Sequence, residues 1–146
     1  MYKKLFLFVA LLSLLSSCST AEPLTEEKFK NLHRTIYDAW ELESKEEIKS
    51  LLETSLTGAF LEEQLASQYA MLQTRQESNE EHKVETITYH KLEITESSEA
   101  DAVVYADYTI EGYRFHGDYH EQKSSHRIYW HLVLTEDGWK IDQIDT

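Results

Sequence analysis

The chain has 146 residues, with 27 Asp and Glu against 14 Lys and Arg, a net charge of −13. That balance argues strongly against nucleic acid as a partner and against adhesion to anionic lipid surfaces, since both need a positive field. Three Trp, nine Tyr and five Phe supply bulk for one real core, and one Pro with four Gly leaves little to stay disordered.

Lys3 and Lys4 open the chain with a short positive segment, and residues 5–15 are apolar except for Ser13. This run is shorter than the about 20 residues that a membrane-spanning helix needs. It ends in Leu15-Ser16-Ser17-Cys18. The sequence resembles the lipobox of bacterial lipoproteins, a Leu and two small residues before a cysteine that takes a diacylglycerol. The resemblance implies cleavage before Cys18, and an ordinary signal peptide containing a cysteine is the competing reading. Two acyl chains, at about 0.8 kcal/mol per buried methylene, anchor stably where one would not. Residues 1–17 are then an export signal, 18–24 a lipidated cysteine and tether, and 25–146 a single domain. Loss of the leader removes two lysines and no acid, leaving 12 bases against 27 acids, or −15. Cys18 is the only cysteine, so the mature chain has no internal disulfide and no thiol nucleophile for catalysis. Ser19 follows it where Asp would mark retention, which resembles the type sorted to the outer membrane, facing the periplasm, in hosts with that pathway.

Thr25 is a plausible N-cap, with Glu26 and Glu27 where a helix dipole favours acids. Phe29, Leu32, His33, Ile36, Tyr37 and Trp40 then fall on one helical face. Ser44 and Glu47 have capping-box spacing and predict a second, short helix burying Ile48, Leu51 and Leu52. A third helix is predicted over 57–76 with Leu61, Leu65, Tyr69 and Leu72 inward, and 77–83 reads as a polar break. The period then falls to two. Strands are predicted at 84–95, 102–115, 127–134 and 139–145. In the first, parity slips between Tyr89 and Leu92, which a β-bulge near His90 would explain. Asp137-Gly138 is a hairpin turn signal between the last two strands.

Helices followed by an antiparallel meander predict an α+β domain, N-terminal helices packed on a curved antiparallel sheet of about four strands. The order, and the ending Leu132-Val133-Leu134-Thr135-Glu136-Asp137-Gly138-Trp139-Lys140-Ile141, resemble the NTF2-like cone fold. That superfamily hosts isomerases, dehydratases and domains that only bind or assemble. A narrower likeness runs through residues 32–40, Ser55-Leu56-Thr57-Gly58, the His-bearing stretch 112–129 and Gly138-Trp139-Lys140. These resemble an envelope domain associated with HupE/UreJ-type permeases, a family implicated in nickel and cobalt transport. The resemblance implies company with a membrane permease, not transport by this chain.

Three constellations could carry function. His33, Tyr37 and Trp40 on the first helix, with Asp107 and Tyr105 from the sheet if their face allows, could line a cone pocket. An acid or imidazole beside a Tyr donor in an apolar pocket is what proton abstraction next to a carbonyl requires. A satisfied core histidine among packing aromatics is the plainer reading. His116, His120, His126 and His131, interleaved with Asp118 and Glu121, could hold nickel, cobalt or zinc, yet none of the usual zinc spacings is present and His126 and His131 differ in strand parity. Tyr113, Phe115, Tyr119, Tyr129 and Trp130 exceed what one small core needs and could offer a patch to a partner. The acidic runs 41–47 and 77–81 read as solvated. The expectation is therefore a lipid-anchored, extracytoplasmic, non-catalytic binding or accessory module of the bacterial envelope, with no cofactor and with an envelope protein as partner. Metal handling beside a permease and an isomerase-like enzyme are its alternatives.

Overall fold

The computed structural model describes residues 22–116 and 118–146. Three helices, α1 (Glu26–Asp38), α2 (Lys45–Leu52) and α3 (Gly58–Ser78), precede four strands, β1 (Glu81–Ser97), β2 (Asp101–His116), β3 (Asp118–Thr135) and β4 (Gly138–Asp145). The strands form one open antiparallel sheet in the order β1-β2-β3-β4, and the helices pack on one of its faces. The domain is α+β, the class the sequence predicts, and is consistent with an NTF2-like cone.

Local chemistry starts the first two helices. Thr25 Oγ1 accepts from the Lys28 backbone N–H at 3.1 Å, and Ser44 Oγ accepts from that of Glu47 at 3.2 Å while donating to the Glu47 carboxylate. Each cap satisfies a donor that the first turn leaves unpaired. The α1 face is buried at Phe29, His33, Ile36 and Tyr37; Leu32 is half-buried, and Trp40 stands in a 3-10 turn (Ala39–Glu41) beyond the helix. In α2, Ile48 and Leu52 are buried and Leu51 half-buried. The α3 seam differs from its apolar pattern. Phe60, Leu65, Gln68, Leu72 and Arg75 are buried, whereas Leu61 and Tyr69 are half-exposed. The reason is polar: Gln68 donates to the Ile36 carbonyl (3.2 Å) and Arg75 to that of Leu42 (2.5 Å), so two hydrophilic side chains turn inward. Asn79, at φ 53°, caps α3 in the left-handed region, so the predicted polar break shrinks to a cap and one residue.

In the sheet, β1 carries register shifts at Val84/Thr86, Tyr89/Lys91 and Ile94/Glu96. The middle one is the bulge expected near His90. The three keep Val84, Tyr89 and Ile94 opposite Gly112, Tyr108 and Val104, so the strand curves without surrendering its inward face. Gly112 sits at the first bulge, where a Cβ would collide with the Lys83 carbonyl. The residues of β2 and β3 meet in a continuous register from Asp101↔Val133 to His116↔Asp118. β3 thus begins well before the apolar 127–134 segment, because ladder hydrogen bonds along its polar first half need no buried side chain. On the outer face this register sets complementary pairs side by side: Tyr105 with Tyr129, Asp107 with Arg127, Thr109 with Ser125, Glu111 with Lys123. A two-residue loop, Glu136-Asp137, joins β3 to β4, and Gly138 takes φ 107°, which only glycine adopts without strain.

The core lies between helices and sheet and includes Phe29, Ile36, Leu52, Phe60, Leu72, Val104, Ala106, Tyr108, Trp130, Leu132 and Ile141. The segment before α1 belongs to it. Leu24 is buried and the Glu22 carbonyl accepts from Trp139 Nε1 at 2.9 Å, so the expected tether 18–24 is folded onto the body at its C-terminal end.

Candidate functional site

His33, delivered by the third turn of α1, is wholly buried in a cage of rings from both layers. Its ring stacks on Phe29 (centroids 5.5 Å apart) and meets Tyr37, Tyr108 and Trp130 edge-on at 5.2, 4.6 and 4.6 Å. Nδ1 shares a 2.6 Å hydrogen bond with the Tyr89 hydroxyl, while Tyr37 and Tyr108 share one at 3.1 Å. His33 Nε2 and Trp130 Nε1 are buried without a hydrogen-bond partner among the described residues and face aromatic rings instead. Burial, with a smaller push from His126, lowers the His33 pKa to about 3, so its imidazole is neutral at pH 7. Burial raises the pKa values of Tyr37, Tyr89 and Tyr108, so their phenols stay protonated. None of the described cavities is lined by His33, Tyr37 or Tyr108. Around His33 the concave face is filled by these rings.

The other proposed pocket members part from this cage. Asp107 stands on the opposite face of the sheet, because it alternates with the buried Ala106 and Tyr108, and it bonds Arg127 Nε at 3.2 Å. Tyr105 shares that outer face with Tyr129, which at 46 % is the exposed large apolar side chain among the described residues. Trp40 borders a small cavity of about 90 Å³ with Val84, Ile110 and Gly112.

The histidine group divides as well. His126 is on the inner side, stacked on Tyr108 with Nε2 2.9 Å from Ser124 Oγ, whereas His131 is on the outer side, 2.7 Å from Asp145. Five residues of an uninterrupted strand reverse the face, so these two imidazoles cannot share an ion. The side chains of His116, His120, Phe115, Asp118 and Tyr119 lie outside the described residues, as do the leader and Cys18. Among the described residues no group of three His, Cys, Asp or Glu is placed to hold a metal.

A cluster that the pattern of the sequence did not reveal lies where α3 ends and β1 begins. Glu80, only 5 % exposed at its side chain, receives Arg114 through both carboxylate oxygens at 2.9 and 2.6 Å and His82 at 3.0 Å. The Arg114 bonds, assisted by His82 and opposed by burial, hold its pKa down to about 2. Beside it, Arg75 is 9 % exposed; its Nη2 donates to the Leu42 carbonyl while Nε is buried without a partner. Burial lowers the Arg75 pKa and the charge of Glu43 partly offsets this. Arg75, Glu80 and His82 line a cleft of about 430 Å³ whose rim includes the exposed Glu41, Glu43 and Glu81. Glu80 was read as part of a solvated acidic run. Its bidentate partner Arg114 lies 34 residues away, so no local spacing could have marked the pair.

The chain shares its fold with a solved chloroplast structure. The crystal structure of the intermembrane space region of chloroplast protein ARC6 superposes with a TM-score of 0.60, over 85% of this chain and 97% of that one, at 10% sequence identity. At that identity the likeness concerns the fold alone. No family model and no curated protein matches the sequence. No helix of the described residues is long and apolar enough to cross a membrane.

Proposed function

We propose that this protein is a lipid-anchored, extracytoplasmic binding module of the bacterial envelope, NTF2-like in family, that works without catalysis. The observation that carries the reading is the packing of aromatic rings around His33. Where an isomerase-like enzyme needs an open pocket around its base, His33 is enclosed by five aromatic side chains and neutral. Recognition then falls to the outside of the body, at the cleft beside Arg75 and at the Tyr105–Tyr129 face. The docking of Glu22 and Leu24 supports a module kept close to its membrane: three residues lie between Cys18 and Glu22, and the four Cα steps reach about 14 Å when extended. An envelope protein at the same surface, such as a permease of the kind the sequence likeness suggests, is the fitting partner.

The test is metabolic labelling of cells expressing the full chain with radioactive palmitate, followed by fractionation. The wild type should carry label and sediment with membranes, and Cys18→Ser should lose both. Label that persists in Cys18→Ser, or an unlabelled wild-type chain, would overturn the anchoring.

A further inference from the structure

A guanidinium taken out of water costs several kcal/mol unless charge or hydrogen bonds replace its hydration. Arg75 meets that demand incompletely: one carbonyl is bonded to it, its Nε has no partner among the described residues, and the nearby Glu80 carboxylate is engaged by Arg114 and His82. The fold spends two polar inward positions of α3 differently. Gln68 ties the helix to α1, whereas Arg75 is presented to a cleft. The volume, about 430 Å³, lies in the range of about 300–1,000 Å³ typical of small-ligand sites. A second, smaller cavity shares His82, Lys83 and Tyr113 with it and sets Trp40, Val84 and Ile110 beside Glu111, Gln122 and Ser124, giving the polar cleft an annex with an apolar wall.

Charge decides what could enter. A bare anion would suit Arg75 and Lys83 but must pass Glu41, Glu43 and Glu81 on a strongly acidic protein. A molecule carrying a carboxylate and an ammonium a few bonds apart satisfies both ends. We infer that the cleft between α3 and β1 binds a zwitterion of the amino-acid or short-peptide class, its carboxylate on Arg75, its ammonium at the glutamate rim and its apolar side chain toward Trp40. This rests on the reading of the protein as a binding module and names its ligand class. Bidentate or charge-assisted bonds to a desolvated guanidinium supply the specificity for the carboxylate.

The experiment is titration calorimetry of the full chain in detergent with three probes of one shape: leucine, leucinamide without the carboxylate, and isocaproate (4-methylpentanoate) without the ammonium. Leucine should bind, and each of the others should bind at least about tenfold more weakly, the scale of one lost charged contact. Arg75→Lys should weaken leucine by a similar factor. Because a buried position can disturb folding, the exposed pair Glu41→Gln/Glu43→Gln gives a second reading, weakening leucine while leaving isocaproate unchanged or improved. Isocaproate equal to leucine would overturn the zwitterion in favour of a plain anion, and leucinamide equal to leucine would overturn the role of Arg75. Absence of binding by all three up to about 10 mM would overturn the site. None of these results depends on palmitate labelling, so failure of the ligand and failure of the anchored module are read separately.

Discussion

His33 is the residue at which polarity and burial conflict most sharply, and its behaviour on acidification follows from that conflict. Its pKa is about 3 in the fold against about 6.5 in an unfolded chain, so between those values the unfolded state binds the extra proton. Stability from the neutral ring is complete above pH 6.5 and declines by about 1.4 kcal/mol per unit as pH falls toward 3. Below about pH 4.5 protonation of Glu80 adds a second loss, since its pKa is depressed to about 2 and the charged form holds Arg114 and His82. Urea unfolding at pH 7.5, 6 and 5 should therefore show a falling midpoint that His33→Gln flattens. An equal slope in both proteins would mean that the ring takes up its proton in the fold as readily as in the unfolded chain. At this scale the inward face of α1 was legible, because its spacing is helical throughout. The face of Asp107 stays open in the sequence analysis, although its flanks Ala106 and Tyr108, in a strand of period two, place it outward. The Glu80–Arg114 pair was not legible, because its members lie 34 residues apart and charge runs on their own resemble solvent-facing loops.

Among the elements, caps and periodicity transferred well to structure because they are local. Thr25, Ser44 and the alternation through β2 required no knowledge of the tertiary fold. The α3 seam transferred in part: Leu65 and Leu72 are buried and Leu61 and Tyr69 pack at the margin of the core, but Gln68 and Arg75 were not foreseen there. Its inward side is decided by two carbonyls, those of Ile36 and Leu42, that come from a different part of the chain, and the apolar pattern cannot anticipate hydrogen bonds to them. The β1–β2 pair rests on one permissive position. Gly112 faces the Lys83 carbonyl at the bulge, and both neighbours are backbone that cannot move aside cheaply. Gly112→Ala should cost about 1–3 kcal/mol, as overpacking does, measured by urea denaturation. A substitution tolerated at no cost would show that the bulge relaxes freely.

For the whole molecule, the N-terminal segment and the last hairpin clasp each other across the length of the chain. Leu24 is 7 % exposed and Trp139, on β4, reaches back to Glu22. The β4 edge is partly covered by the segment before α3, where Thr57 donates to the Ile141 carbonyl at 3.0 Å and Ile141 to that of Ser55 at 2.8 Å. The opposite edge, β1, is interrupted by three bulges, a device that discourages pairing with other chains. Leu24→Ala should lower stability by about 2 kcal/mol, a core-sized loss rather than that of a tether residue, again by urea denaturation. A change below about 0.5 kcal/mol would place Leu24 outside the cooperative core.

The sequence by itself determined the α+β class, the order of elements, the bulge near His90 and the two-layer arrangement. Each of these is written in periods, caps and turn residues within a few positions of one another, and local sterics enforce them. Tertiary structure alone decided that the concave face is filled around His33, that His126 meets Ser124 while His131 meets Asp145, and that Arg75 and Glu80 turn inward beside a cleft. Those outcomes depend on which distant carbonyls, rings and charges the fold brings together. The energy of a buried polar group is set by those neighbours and not by its position in the chain.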